Sequence, residues 1–94
     1  MPYVLVRHRV KNYAVWKTAF DEHGNAREEA GSRGGFLFRI AGDANDVLVL
    51  LEWETLEKAR AFLRSEGLKK VMDRAGVVGS PEILYLDGTG RPPA

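Results

Sequence analysis

The sequence predicts an α+β domain in which a four-stranded antiparallel sheet carries its helices on one face. Three observations lead there. Side chains alternate with period two over residues 3–10, 36–40, 46–54 and 81–86, the pattern of strands. Between the first and second of these, and again between the third and fourth, apolar residues recur at spacings of three and four, the pattern of helices. The middle two strands are separated only by Ala41-Gly42-Asp43-Ala44-Asn45, turn chemistry that joins them as a hairpin. The order is therefore β-α-β-β-α-β. A chain of 94 residues fits one domain, which buries roughly two-thirds of the surface its unfolded form exposes. That domain is expected over 1–87, with 88–94, GTGRPPA, as a flexible tail.

In the first strand Tyr3, Leu5, Arg7 and Arg9 alternate with Val4, Val6, His8 and Val10. Asn12 can then cap a helix whose single face carries Tyr13, Trp16, Phe20, His23 and Arg27. Gly24-Asn25 interrupts it. A helical glycine costs about 1 kcal/mol relative to alanine, so a kink or a split is expected there. Gly31 stops the helix, and Ser32-Arg33-Gly34-Gly35 reads as a flexible connection. Phe36, Phe38 and Ile40 then alternate with Leu37 and Arg39. In DVLVLLEWE, residues 46–54, Val47, Val49, Leu51 and Trp53 point one way and Leu48, Leu50, Glu52 and Glu54 the other. Thr55 caps the next helix, with Glu57 in its first turn and Leu56, Ala59, Phe62 and Leu63 on its apolar stripe. Ser65-Glu66-Gly67 reads as a break before a further helical piece, 68–75, that Gly76 ends.

Two right-handed crossovers joined by a hairpin give the ferredoxin-like arrangement, with helices on one face only. The covered face is expected to hold Val4, Val6, Val47, Val49 and Leu51 together with Phe36, Phe38 and Ile40. Tyr3, Leu5, Leu37, Leu48, Leu50, Leu84 and Leu86 are left on the other. These side chains would expose more than the roughly 300–600 Å² of apolar patch that a typical monomer shows. A second copy, packed sheet against sheet about a two-fold axis, covers them. Arg7, Arg9, Arg39, Glu52 and Glu54 are expected on that same face, either setting the register of the contact or solvated on a partly open surface.

Charges nearly balance at a formal +1 and the basic residues are scattered among acids, so no nucleic acid partner is implied. No cysteine is present, which excludes disulfides and thiolate chemistry. No apolar run reaches membrane length, and MPYVLVRHRV enters a strand pattern without a basic leader, so the expected location is cytoplasmic. Two histidines fifteen positions apart, without an H-x-x-x-H, imply no metal site. Gly31-Ser32-Arg33-Gly34-Gly35 precedes a strand rather than opening a helix, so it is not a phosphate cradle. No cofactor is expected.

The segments YVLVRHRVKNYAVWKTAFDEH, FRIAGDANDVLVLLEWETLEKARAFL and AGVVGSPEILYLD, which span nearly all of the chain except the tail, resemble the dimeric α/β-barrel superfamily. Within it they resemble the small antibiotic-biosynthesis-monooxygenase-like and cyclase-like proteins. The resemblance implies two sheets pairing into a barrel in a homodimer. It implies chemistry ranging from cofactor-independent oxygenation of phenols to polyketide cyclisation, or no activity at all, because a shared fold does not carry an activity with it.

The residues offer their own candidates. An antiparallel topology carries His23 and Arg27 to the end of the sheet that holds Trp53 and Phe36, where a pocket would combine aromatic walls with an imidazole and a guanidinium. His23 is then the general base and Arg27 the group that holds a carboxylate or enolate. Trp16, Trp53 and Phe36 are the expected walls, with Tyr13 beside them. His8, at the opposite end near Tyr13 and Ile40, is the reserve base. Against this stand a helix end that is simply solvated, and a His8 that is a hydrogen-bonded core group. Two readings follow: a homodimeric, cofactor-independent monooxygenase-like or cyclase-like enzyme acting on a small aromatic, phenolic or polyketide-type substrate, or a non-catalytic ligand-binding or structural dimer.

Overall fold

Each crossover carries a pair of short helices rather than one. The computed structural model of the chain describes residues 1–94. Its elements run β1 (Pro2–Val10), α1 (Tyr13–Glu22), α2 (Gly24–Ala30), β2 (Ser32–Ile40), β3 (Asp43–Trp53), α3 (Leu56–Leu63), α4 (Glu66–Ala75) and β4 (Val77–Asp87). The sheet is antiparallel with strand order β2-β3-β1-β4, the ferredoxin-like order. Residues 88–94 form no regular element and are exposed. No helix is long and apolar enough to cross a membrane.

The helix boundaries follow local chemistry. Asn12, Thr55 and Ser65 each accept a hydrogen bond from a backbone N–H three residues on, at Val15, Lys58 and Leu68. Gly31 and Gly76 close α2 and α4 at positive φ, where a side chain would be strained. The expected division at Gly24 is present: α1 ends at Glu22, His23 stands between the helices as the cap of both, and α2 starts from Gly24. Glu66 and Gly67, expected in a break, instead form the first turn of α4, because the Ser65 hydroxyl supplies a cap.

Valines from β1 and β3 pack with Trp16, Trp53, Ala59 and Ala75 in the core beneath the helices. Both central strands face as their alternation predicts, since the register pairs Val4 with Leu51, Val6 with Val49 and His8 with Val47.

Strand β2 differs from expectation in two ways. It begins at Ser32, so the glycine-rich segment expected to be a flexible connection is part of the sheet. Its faces are also reversed. Leu37 pairs with Val49 and Arg39 with Val47, which puts Leu37 and an exposed Arg39 on the helix-bearing side and turns Phe36 and Phe38 to the open side. A register shift between Ser32 and Gly34 sets this phase. Gly35 maintains it, because a Cβ there would stand 1.9 Å from the Leu50 carbonyl oxygen. The Arg39 guanidinium is accommodated over the Tyr13 ring, 4.3 Å from its centroid.

The open face is consequently more apolar than the sequence suggested. Phe36, Leu50, Leu5 and Leu84 are cross-strand partners in one row that spans all four strands. Phe36 is 65% exposed, Phe38 50% and Leu84 46%. The charges near this face pair among themselves: Arg7 grips Asp46 through two hydrogen bonds of 3.1 and 2.8 Å, and Arg9 reaches Asp43 at 2.8 Å. Arg39 is absent from this group for the reason just given. Glu54 turns instead to Lys58 and Arg33.

Candidate functional site

The stripe on α1 and α2 faces the sheet and encloses a cavity of about 70 Å³. Trp16, Phe20, His23 and Arg27 descend from the helices to meet His8, Val49 and Trp53 on the sheet, and α4 closes the far wall with Leu68, Val71 and Met72. At about 30 Å³ of liquid volume per water, the cavity has room for about two waters, about half of the roughly 150 Å³ that accommodates a benzene ring.

Its walls are an aromatic array. Trp16 stacks on Phe20 with centroids 5.0 Å apart, and His8 meets the same indole edge-on at 5.5 Å. Phe62 lies 5.5 Å from Trp53 and 5.6 Å from His23, bridging the sheet to the helix junction. Ring pairs at these separations favour offset or edge geometries, which hold each ring plane in place.

Polarity is confined to a few atoms. Both ring nitrogens of His8, Nε2 of His23 and Nε1 of Trp53 are buried without a hydrogen-bond partner in the protein. All belong to residues that line this one cavity. An unsatisfied buried polar group costs about 1–3 kcal/mol, and native structures contain few of them. That their residues all line one small space is the most informative local feature of the molecule. His8 is 7% exposed and Trp53 1%.

Electrostatics keeps both imidazoles neutral near pH 7. Burial lowers the pKa of His8 below 6.5, against a weaker pull from Asp46. Burial also lowers that of His23, and the nearby Arg27 and Arg74 cations act in the same direction. A neutral imidazole carries one donor and one acceptor nitrogen, so each ring can take a proton from a ligand. Arg27 is half-buried. Its Nη1 donates to the Phe20 carbonyl oxygen at 2.8 Å, and its guanidinium carbon lies 3.6 Å from the centroid of the Phe20 ring.

The structure thus brings five of the expected residues, His8, Trp16, His23, Arg27 and Trp53, into one cavity. His8 stands toward the other end of the sheet, opposite Val47 and two residues from the end of β1, yet it lines the same cavity. The indole of Trp16 links it to the side chains farther along α1. Tyr13 lies outside the lining and supports Trp16 from behind at 5.7 Å. Phe36 is not a wall of this cavity, because the reversed phase of β2 turns it to the open face. The sequence reading missed Phe62 and the α4 wall as parts of the site. The apolar spacing of Leu68, Val71 and Met72 was visible, but nothing local revealed that α4 packs over α1.

A second hollow of about 430 Å³ lies on the outer side of Phe20, Arg27 and Leu51, bounded by α2 and the start of β2. Those three residues line both spaces and form the partition between them.

No protein-family model matches the chain. No characterised protein matches it by sequence. Solved structures do match by fold. SnoaB, a cofactor-independent oxygenase from Streptomyces nogalater, superposes with a TM-score of 0.78 at 15% identity, over 99% of this chain and 97% of that one. A Bordetella bronchiseptica protein provisionally named an antibiotic biosynthesis monooxygenase gives 0.80 at 14% identity, over 94% and 96%. The monooxygenase ActVA-Orf6 of Streptomyces coelicolor, solved with the ligand nanaomycin D, gives 0.68 at 19% identity, over 97% and 89%. The chain therefore has the ferredoxin-like fold of the antibiotic-biosynthesis-monooxygenase proteins.

Proposed function

We propose that the chain is a homodimer, joined through the open sheet face, with one small-molecule site per subunit. In this reading the site carries out cofactor-independent oxygenation of a small phenolic or related electron-rich aromatic compound. The observation that carries the reading is the set of orphaned ring nitrogens of His8, His23 and Trp53 around one aromatic cavity. The fold shared with SnoaB, itself a cofactor-independent oxygenase, supports it.

The chemistry needs an electron-rich anion held away from water. A neutral imidazole of His23 takes the phenolic proton, and His8 is the alternative acceptor. Arg27 and the Trp53 indole N–H stabilise the developing oxyanion, in a site whose apolar walls strengthen each of these interactions. Trp16 and Trp53 present ring faces to the substrate. The anion then reduces dioxygen. One oxygen atom enters the substrate at the activated carbon, and the other leaves as water: a ring methylene plus O₂ gives a carbonyl plus H₂O.

The test is oxygen uptake by the EDTA-treated protein with a panel of phenols, naphthols and anthrones, alongside His23→Gln and His8→Gln. Turnover by the wild type that falls at least tenfold in one of the two variants is expected, since general-base catalysis contributes about 10²–10⁴-fold. Tight binding without oxygen consumption would instead favour a non-catalytic binding protein.

A further inference from the structure

The inner cavity and the outer hollow share one wall, and that wall carries a cation. At about 70 Å³, about half of the roughly 150 Å³ that holds a benzene ring, the inner cavity cannot enclose a substituted substrate entirely. The outer hollow offers about 430 Å³ directly across Phe20, Arg27 and Leu51. Arg27 is the single charged residue that lines both spaces.

Its present commitments are slight. One Nη1 hydrogen bond goes to a carbonyl oxygen and the guanidinium plane rests on Phe20, while no ion pair in the structure includes it. Most of its N–H donors are therefore unused. The other charges around the outer hollow are Arg33, already bound to Glu54, and Glu28, which opposes an anion. Arg27 is left as the uncommitted cation.

We propose that Arg27 selects ligands by charge: an aromatic ring seats against the inner cavity, and an anionic substituent of the carboxylate class lies across the Phe20–Arg27 wall in the outer hollow, where the guanidinium binds it. This rests on the function proposed above and narrows its substrate class to aromatic acids. A planar guanidinium suits a carboxylate because it presents paired N–H groups in fork geometry.

The experiment compares 3-(4-hydroxyphenyl)propionate with its uncharged amide. Binding is read from the fluorescence of Trp16 and Trp53, the two tryptophans of the chain, both on the inner cavity. The wild type should bind the carboxylate about tenfold or more tightly than the amide, the range expected for a charge-assisted hydrogen bond. Arg27→Gln should abolish that preference, and Arg27→Lys should restore part of it. Arg33→Gln should retain it. If both compounds bind the wild type equally, or if the preference survives in Arg27→Gln, this inference fails and the aromatic site stands. If neither perturbs the tryptophans, the site reading fails with it. The wild-type comparison requires no variant to fold.

Discussion

Replacing Phe36 with alanine probes the open sheet face where it projects furthest. The ring is 65% exposed in the single subunit, so a partner sheet would bury that fraction of a side chain whose full burial is worth about 1.5–3 kcal/mol. This gives about 1–2 kcal/mol per ring. A two-fold interface contains each residue twice, so the substitution should weaken dimerisation by about 2–4 kcal/mol, roughly 30- to 1000-fold in Kd. The same exposure means that the isolated subunit loses little, about 1 kcal/mol or less. Sedimentation equilibrium across a concentration series gives Kd, and circular dichroism checks that the variant remains folded. A folded Phe36→Ala protein with an unchanged dimer constant would refute the assignment of this face, as would a wild type that sediments as a folded monomer at micromolar concentration.

Other expectations test the supports of the site. Gly35→Ala forces a Cβ against the Leu50 carbonyl oxygen and should cost about 1–3 kcal/mol or more, visible as a lowered urea midpoint. Gly24→Ala has the opposite sign: the added methyl meets only Arg27 Nη2, at an ordinary 3.6 Å, so helix propensity should raise stability by about 0.5–1 kcal/mol in the same assay. The pH dependence follows from His8, whose folded pKa is depressed. Above 6.5 the imidazole is neutral in both states and adds no slope. As pH falls below 6.5 the unfolded chain takes up a proton that the folded one resists, so stability declines until the folded pKa is passed. The melting temperature should drop between pH 7.5 and 5.5, and His8→Gln should flatten that drop to the part due to His23, whose pKa is depressed in the same direction.

What was legible in the sequence depended on whether one pattern had one meaning. The facing of strands β1 and β3 could be read because valines on one side alternate with mixed side chains on the other, although β3 begins at Asp43, inside the segment expected to be a turn. Strand β2 could not, since Phe36, Phe38 and Ile40 form as convincing a buried set as Leu37 does, and a one-residue change of phase exchanges them. The phase is set by the irregular pairing at Ser32–Gly34, where the backbone and not side-chain bulk decides. For the site, helical spacing alone placed Trp16, His23 and Arg27 on one face, and the hairpin register added Trp53. The meeting of His8 with this group needed the tertiary structure, because an aromatic bridge through Trp16 leaves no periodic trace. The same holds for α4, whose stripe announced a buried face without naming its neighbour.

The central claim is that the buried ring nitrogens of His8, His23 and Trp53 await a ligand. Nitrogen-15 spectra of histidine- and tryptophan-labelled protein, titrated with a phenol, test it most directly. The account predicts that the Trp53 indole N–H and the imidazole nitrogens shift together and saturate at one ligand per subunit. Ring nitrogens that stay unmoved by every phenol up to its solubility limit would contradict it.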